Sequence, residues 1–371
     1  MKLNYVDSIR GIAILMVVLV HTGQKITGLG TLPFILVKYG QMGVQLFFFA
    51  SAYTLCLSAS NRSNEKSSLS KYTIRRYFRI APLYYIGILL YFLIALIEGY
   101  NKTGVLSIPI KYSLSNLASN VLFLNGFYSP GNNNIVPGGW SIGTEMAFYV
   151  VFPFLFSLSK KVSIKNIKGF LLWVFSGLII SQVTTFAFIL YTGIKMANNN
   201  FVYFSLFNQI SVFFIGIGYY LIREQGDFLK KSLILNFNWK VDLLLFFILS
   251  CISLFFWKLK FDYLFSIIPF ISALSFLFLI ELFRKIIFLN HRFLIRIGQL
   301  SYSMYLIHIV FAYYVTETLS HYFIGLMGSN RSLLILYLVS VIGSILLGLL
   351  SEKYIEKPFI SFGKKIIQKI D

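Results

Sequence analysis

IAILMVVLV, residues 12–20, is the first long apolar run of the chain, and it follows Lys2 and Arg10. A transmembrane helix needs about 20 mostly apolar residues, a length that this run reaches with its flanks. A signal peptide would share the basic start and the apolar run, but it would end at a cleavage site between small residues. No such site is obvious and further apolar runs follow, so residues 9–24 are predicted to be a retained transmembrane helix.

The composition of the whole chain agrees with a lipid environment. Hydrophobic residues make up 57% of the 371 residues and charged residues only 12%, with a mean hydropathy of +0.75. Soluble domains are about 45–50% apolar. A net charge of +20 is typical of nucleic-acid-binding proteins. In a membrane protein, however, an excess of Lys and Arg in cytoplasmic loops also produces a large positive net charge. We therefore expect the lipid bilayer, and no nucleic acid, as a partner.

Similar runs continue along the sequence and predict an all-α integral membrane protein, a bundle of about ten transmembrane helices that forms one domain over residues 1–371. The predicted spans are 9–24, 41–59, 81–98, 141–158, 169–191, 203–222, 241–257, 263–283, 299–319 and 333–350. With both termini cytoplasmic, the cytoplasmic segments hold 25 of the 33 Lys and Arg residues. The positive-inside rule favours this orientation, as a multi-pass protein of the cell membrane.

Ionisable side chains inside the predicted spans are few. Each costs roughly 2.5–3.5 kcal/mol to insert, so it needs a partner or a function. Arg10 and His21 are eleven residues apart, which returns them to nearly the same helix face, roughly 16 Å apart along the axis. His21, predicted near mid-membrane, could be a packing residue and Arg10 a snorkelling one, but their shared face favours function.

Two later spans also contain ionisable groups. Glu145 lies four residues after Ser141, where a carboxylate could accept a proton from a hydroxyl or simply stabilise a helix N-terminus. His308 is a second imidazole predicted near mid-membrane, suited to general base work on a hydroxyl. A metal site is a competing hypothesis, but two deep histidines without a nearby cysteine or an HExxH spacing predict none.

The third span begins with a basic cluster of Arg75, Arg76 and Arg79. Part of this cluster must be ordinary positive-inside charge. Guanidinium groups also bind phosphates in a bidentate manner, so the cluster is suited to an anionic cosubstrate arriving from the cytoplasm. The two cysteines, Cys56 and Cys251, lie in apolar stretches and are interpreted as small hydrophobic residues.

Together these segments resemble membrane acyltransferase family 3, which includes O-acetyltransferases of bacterial surface polysaccharides. The matching stretches are residues 7–13 (DSIRGIA) with ten residues between Arg10 and His21, Arg76 and Arg79 with Pro82 and Tyr84, Trp140-Ser141 with Glu145 and Phe148-Tyr149, residues 301–306 (SYSMYL) with His308, and residues 354–359 (YIEKPF). They cover nearly the whole chain in order. One departure is Ala52, where the family usually has Gly, which raises a question about the packing of the second span. The chain resembles the stand-alone form without an extracytoplasmic hydrolase-like domain.

The resemblance implies O-acylation, with an acyl-CoA such as acetyl-CoA as cytoplasmic cosubstrate and no permanently bound cofactor. The acceptor would be a hydroxyl of a cell-surface glycan (O-antigen, capsule or exopolysaccharide) or its lipid-linked precursor. His21 would be the general base or a transient acyl carrier, and Arg10 would help to hold the donor. The remaining roles are donor binding by Arg75, Arg76 and Arg79, acceptor orientation or proton relay by Glu145 and His308, and acceptor orientation by Trp140, Ser141 and Tyr305.

Two other classes of function remain open at this point. Buried His and Glu also form proton relays in transporters, so export or flipping of a lipid or glycan is the alternative. No pair of inverted half-repeats supports it. A structural scaffold would leave the two deep histidines unexplained.

Overall fold

The computed structural model describes residues 3–162, 167–193, 200–224, 236–259 and 261–370. Within these ranges the regular structure is entirely helical, which confirms the all-α prediction. The α-helices are α1 (Asn4–Gly23), α2 (Thr31–Gly40), α3 (Gly43–Ser60), α4 (Ser68–Thr103), α5 (Leu114–Val121), α6 (Gly139–Val162), α7 (Ile167–Thr192), α8 (Asn200–Phe204), α9 (Leu206–Glu224), α10 (Trp239–Leu259), α11 (Asp262–Lys285), α12 (Arg292–Gln299), α13 (Ser301–Ile309), α14 (Thr316–Met327), α15 (Ser329–Ser351) and α16 (Lys357–Gln368). Short 3₁₀ turns cover Ile110–Tyr112, Ser129–Gly131 and Ile287–Leu289, and π-helical segments cover Val310–Val315 and Glu352–Glu356.

The described part contains nine helical stretches that are long and apolar enough to cross a membrane. A tenth consists of α12 and the stretch Ser301–Met327, which are bent by 70° at their junction. The prediction of about ten spans is thus confirmed, while the side on which the termini lie stays a prediction. The last stretch, Ser329–Gln368, runs 40 residues through a π-helical segment and extends well beyond the predicted end at residue 350.

The third span differs from its prediction because α4 begins at Ser68 and continues for 36 residues. The basic cluster therefore lies on the helix itself, and Pro82 lies inside the helix. The apolar window that marked residues 81–98 excluded the first turns because these are rich in charged side chains. A helix that long extends past the hydrocarbon core, at 1.5 Å per residue.

Small residues set how closely α1 packs against its neighbours. A Cβ atom on Gly11 would lie 2.5 Å from the carbonyl oxygen of Leu294 in α12, and one on Gly43 in α3 would lie 2.6 Å from the carbonyl oxygen of Ala13. Such contacts are typical of membrane helices, whose association depends on close backbone approach. They place α1 between α3 and α12 and so determine where Arg10 points.

The polar segment between α4 and α6 is packed into the bundle by buried asparagines. Asn120 accepts a hydrogen bond from the Tyr84 hydroxyl at 2.7 Å, and Asn125 and Asn132 each donate to the other's backbone carbonyl. All three side chains are at most 4% exposed. Gly138, at φ +80°, then brings the start of α6 against the Tyr305 hydroxyl.

Candidate active site

A cavity lies inside the bundle where α1, α3, α4, α6 and α13 meet. It contains about 640 Å³ of empty space, including its open mouth. Several of the predicted site residues share this space, although they come from distant parts of the sequence. The lining residues are Arg10, Val44, Phe47, Phe48, Ser51, Arg76, Arg79, Ile80, Ser141, Ile142, Glu145, Tyr149, Ser301, Tyr302 and Tyr305.

Three guanidinium groups face this cavity, and they differ in their contacts. Arg10 donates a hydrogen bond to the Thr54 hydroxyl at 3.0 Å. Arg76 lies over the ring of Tyr149, with its guanidinium carbon 5.7 Å from the ring centre, and its Nε has no partner in the described structure. Arg79 is exposed and makes neither a hydrogen bond nor an ion pair with the described residues. Glu145 is the one acidic residue among the described residues of the lining, so these residues carry an excess of positive charge.

The Glu145 carboxylate is held by hydroxyl groups and by none of the arginines at salt-bridge distance. Its Oε1 accepts hydrogen bonds from Ser51 at 2.7 Å and from Tyr149 at 2.6 Å. Ser141, one helical turn earlier, instead donates to the Tyr305 hydroxyl at 2.6 Å. The Ser141–Glu145 interaction suggested by the sequence is therefore absent from the described contacts, because Ser141 points toward α13.

His21 and His308 form a pair. Their ring centres are 5.2 Å apart and the rings are inclined by 46°. His21 lies in the last turn of α1, and its Nδ1 is 3.1 Å from the Gln24 side-chain oxygen. Its depth in the membrane stays a prediction. His308 is fully buried and its Nδ1 lies 2.7 Å from the carbonyl oxygen of Tyr305.

The tautomer of His308 follows from that contact. A carbonyl oxygen can only accept, so Nδ1 of His308 must carry the hydrogen. In the neutral ring, Nε2 is then a hydrogen-bond acceptor, and within the described structure this buried atom has no partner. An unpaired buried acceptor is costly, so it marks a place where a donor from a substrate or from His21 would be stabilised.

Tyr305 stands between the arginine-rich cavity and the histidine pair. Its side chain lines the cavity, and its ring centre is 5.6 Å from that of His308. Arg10 therefore lines the cavity, whereas His21 pairs with His308, although the two residues share a helix face. Trp140 lies apart from the cavity lining, stacked on Phe204 with ring centres 4.1 Å apart.

A second concavity, here called the basic hollow, adjoins the first. Its empty space is about 1010 Å³ and its lining is Arg75, Arg76, Phe78, Arg79, Gln299, Glu352, Glu356, Lys357, Ile360, Gly363 and Lys364. Arg76 and Arg79 line both spaces, so the hollow and the cavity share a wall. Arg75 is bound by Glu65 through two hydrogen bonds of 3.0 and 2.9 Å, which lower the pKa of the Glu65 carboxyl.

The described ranges contain no group of three or more His, Cys, Asp and Glu side chains placed to hold a metal ion. The prediction that no metal is bound is not tested by this finding and stays a prediction. Cys56 is buried, Cys251 is exposed, and neither forms a disulfide.

Several residues that hold the site were not singled out from the sequence. Each of three such residues forms a hydrogen bond with a predicted site residue: Ser51 with Glu145, Thr54 with Arg10, and Gln24 with His21. Gln24 follows His21 by three residues in the sequence, a spacing that brings side chains together on a helix, so it could have been found. Ser51 and Thr54 contact residues 94 and 44 positions away, which no local pattern reveals.

The family described as "Acyltransferase domain" matches residues 3–349. The chain is also 28% identical over 185 residues to a protein of Acidianus two-tailed virus named "Putative acetyltransferase ORF330". That similarity covers 49% of this chain and 48% of the viral protein, so the chain spans about half the length of this relative. No solved structure shows a significant match.

Proposed function

This chain belongs to the acyltransferase domain family, and we propose that, as a multi-pass membrane enzyme of that family, it acetylates a cell-surface glycan. The donor would be cytoplasmic acetyl-CoA and the acceptor a hydroxyl of an O-antigen, capsule or exopolysaccharide, or of a lipid-linked precursor. The enzyme would lie in the cell membrane. The acyl group and both substrates are part of the proposal.

The observation that carries the proposal is the unbalanced charge of the cavity. The cavity is lined by Arg10, Arg76 and Arg79, and Glu145 is the one acidic residue among its described lining residues. Uncompensated guanidinium groups inside a membrane bundle are expensive, and a bound anion would offset that cost. Coenzyme A carries its phosphates at one end of an uncharged arm, so its thioester could pass beyond the arginines while its phosphates stay beside them.

The acceptor hydroxyl would be activated by the histidine pair. His21 is the more accessible ring, since it is half-buried whereas His308 is fully buried, so His21 takes the proton as general base. The acceptor oxygen bonds to the acyl carbon, the carbon–sulfur bond of the thioester breaks, and coenzyme A leaves as a thiolate that regains the proton from His21. The unpaired Nε2 of His308 accepts a hydrogen bond from the protonated ring and so stabilises its charge.

The remaining site residues would orient the substrates. Tyr305 lies where the donor thioester and the acceptor must meet, held by Ser141. Glu145, fixed by Ser51 and Tyr149, would orient the donor arm among the arginines. Trp140 lies outside the cavity lining and would support the site by packing the start of α6 against Phe204.

Acetyl transfer by the purified protein in proteoliposomes, from labelled acetyl-CoA to extracted surface glycan, tests the proposal. Wild type should label the glycan and His21→Ala should not, with membrane insertion unchanged. His321→Ala is the matched control, because that ring is exposed on α14 and belongs neither to the cavity lining nor to the histidine pair. Absence of label with several acyl donors and acceptors would overturn the proposal; movement of an unmodified glycan across the membrane would instead indicate a transporter.

A further inference from the structure

The C-terminal helix α16 forms one side of the basic hollow. Lys357, Ile360 and Lys364 all line it, and their spacing of three and four residues places them on one face of the helix. Gly363 lets this face approach α4, because a Cβ atom there would lie 2.9 Å from Cβ of Phe78. The rings of Phe78 and Phe362 pack edge to face 5.5 Å apart beside this contact.

The two acids of the hollow are already engaged. Glu352 binds Arg296 at 2.5 Å and lies 3.6 Å from Nζ of Lys357. Glu356 accepts a hydrogen bond from the Ser303 hydroxyl. Arg75 is paired with Glu65, which does not line the hollow. The carboxylates in and near the hollow therefore do not pair with all of its cations.

Three cations of the hollow have no carboxylate at salt-bridge distance among the described residues. They are Arg76, Arg79 and Lys364. Arg76 and Arg79 lie in the wall shared with the cavity, whereas Lys364 lies on the opposite helix. A ligand with two anionic groups could therefore contact both helices and extend toward the cavity.

We propose that Lys364 is a donor-specificity residue that binds the 3′-phosphate of coenzyme A, while Arg76 and Arg79 hold its diphosphate. This inference rests on the proposed function. Coenzyme A has a diphosphate and a 3′-phosphate on either side of a ribose at one end and the thioester at the other, and the hollow offers Arg76 and Arg79 on α4 and Lys364 on α16. Lys357 has a lesser part because its Nζ already lies 3.6 Å from the Glu352 carboxylate.

Dephospho-coenzyme A, which lacks only the 3′-phosphate, provides the test. Calorimetric titration of the purified protein in neutral detergent would compare acetyl-CoA with acetyl-dephospho-CoA. Wild type should bind acetyl-CoA roughly tenfold more tightly, the effect expected of one charge-assisted contact. Lys364→Ala should remove this difference by weakening acetyl-CoA alone, and Lys364→Arg should retain it. Lys365→Ala is the matched control, since Lys365 is exposed next to Lys364 but does not line the hollow.

Equal affinity of wild type for the two donors, or equal weakening of both by Lys364→Ala, would overturn the inference while acetyl transfer by wild type still supports the proposed function. If neither donor binds or is used, both proposals fail. The same titrations in nanodiscs, with and without anionic lipid, distinguish whether Lys364 binds the phosphate of the donor or that of a lipid headgroup. A Lys364→Ala effect that needs anionic lipid and is the same for both donors would assign the lysine to a lipid headgroup and overturn the inference.

Discussion

His308 shows how a single side chain acquires a defined chemical role from its surroundings. Its Nδ1 is committed to the carbonyl oxygen of Tyr305, and its Nε2 is left unpaired beside His21. The sequence predicted a deep imidazole suited to base chemistry, but it could not predict which nitrogen would be free. That depends on a carbonyl oxygen of the same helix and on the rotamer that packing imposes.

Replacement of His308 by Asn should separate these two contacts. The Asn side-chain nitrogen can still donate to the Tyr305 carbonyl, but no acceptor remains at the position of Nε2. We expect kcat to fall roughly 10- to 150-fold, the effect of a lost hydrogen bond to a charged group, with little change in thermal stability. Steady-state kinetics and a thermal unfolding curve check this. Near-normal turnover in His308→Asn would show that Nε2 has no part in the reaction.

Arg79 should contribute to donor binding more than to turnover. It lines both the cavity and the basic hollow, without an ion pair in the described structure. Arg79→Ala should raise KM for acetyl-CoA roughly tenfold, the loss expected for one charge-assisted contact, and change kcat less. Arg62→Ala, in the loop before α4, is the control because Arg62 is exposed and its guanidinium donates a hydrogen bond to the nearby Ser58 hydroxyl, away from the cavity lining. An unchanged KM in Arg79→Ala would remove this arginine from the donor site.

The contact between α3 and α9 answers the question that Ala52 raised. Gly216 of α9 lies opposite, and a Cβ atom there would be 2.7 Å from Cβ of Ala52 and 2.8 Å from the carbonyl oxygen of Phe49. The extra methyl group in α3 is therefore accommodated by a glycine in its neighbour. The sequence could flag the unusual residue, but only helix packing identified its partner 164 residues away.

Gly216→Ala should destabilise the protein by about 1–3 kcal/mol, the usual cost of overpacking a tight contact. The double variant Ala52→Gly with Gly216→Ala should recover part of this loss, since the Phe49 carbonyl remains close. Thermal unfolding in detergent, followed by size-exclusion chromatography, compares the two variants. Equal stability of the single and double variants would mean that the Ala52 contact carries no strain.

The whole molecule combines long apolar helices with an uneven distribution of positive charge. The structure confirms the number of spans, whereas their orientation stays a prediction from the positive-inside rule. Ten spans place Lys365 of α16 and Leu106, after α4, on opposite sides. The basic hollow lies on the side of Lys365, which is the predicted cytoplasmic side and therefore the side from which the proposed donor, acetyl-CoA, would arrive.

Single-cysteine labelling should reveal this orientation. In a Cys251→Ser background, Leu106→Cys should react with an impermeant maleimide in intact cells. Leu106 is 72% exposed and lies between α4 and α5, on the predicted outer side of the membrane. Lys365→Cys should react only after permeabilisation. Native Cys56 is buried and should contribute little background. Labelling of Lys365→Cys in intact cells would reverse the orientation and place the basic hollow outside.

The spans, the family and the residue types of the site were predictable from the sequence because each depends on short segments. An apolar run of about 20 residues specifies a membrane helix whatever its neighbours, and the matched motifs are local. The pairs that form the site come from tertiary structure: His21 with His308, Ser51 with Glu145, and Ser141 with Tyr305. Hydropathy does not encode how a helix is rotated about its axis when most of its faces are apolar. Close contacts at glycines, the 70° bend before α13 and the packed segment between α4 and α6 determine that rotation, and with it the pairs.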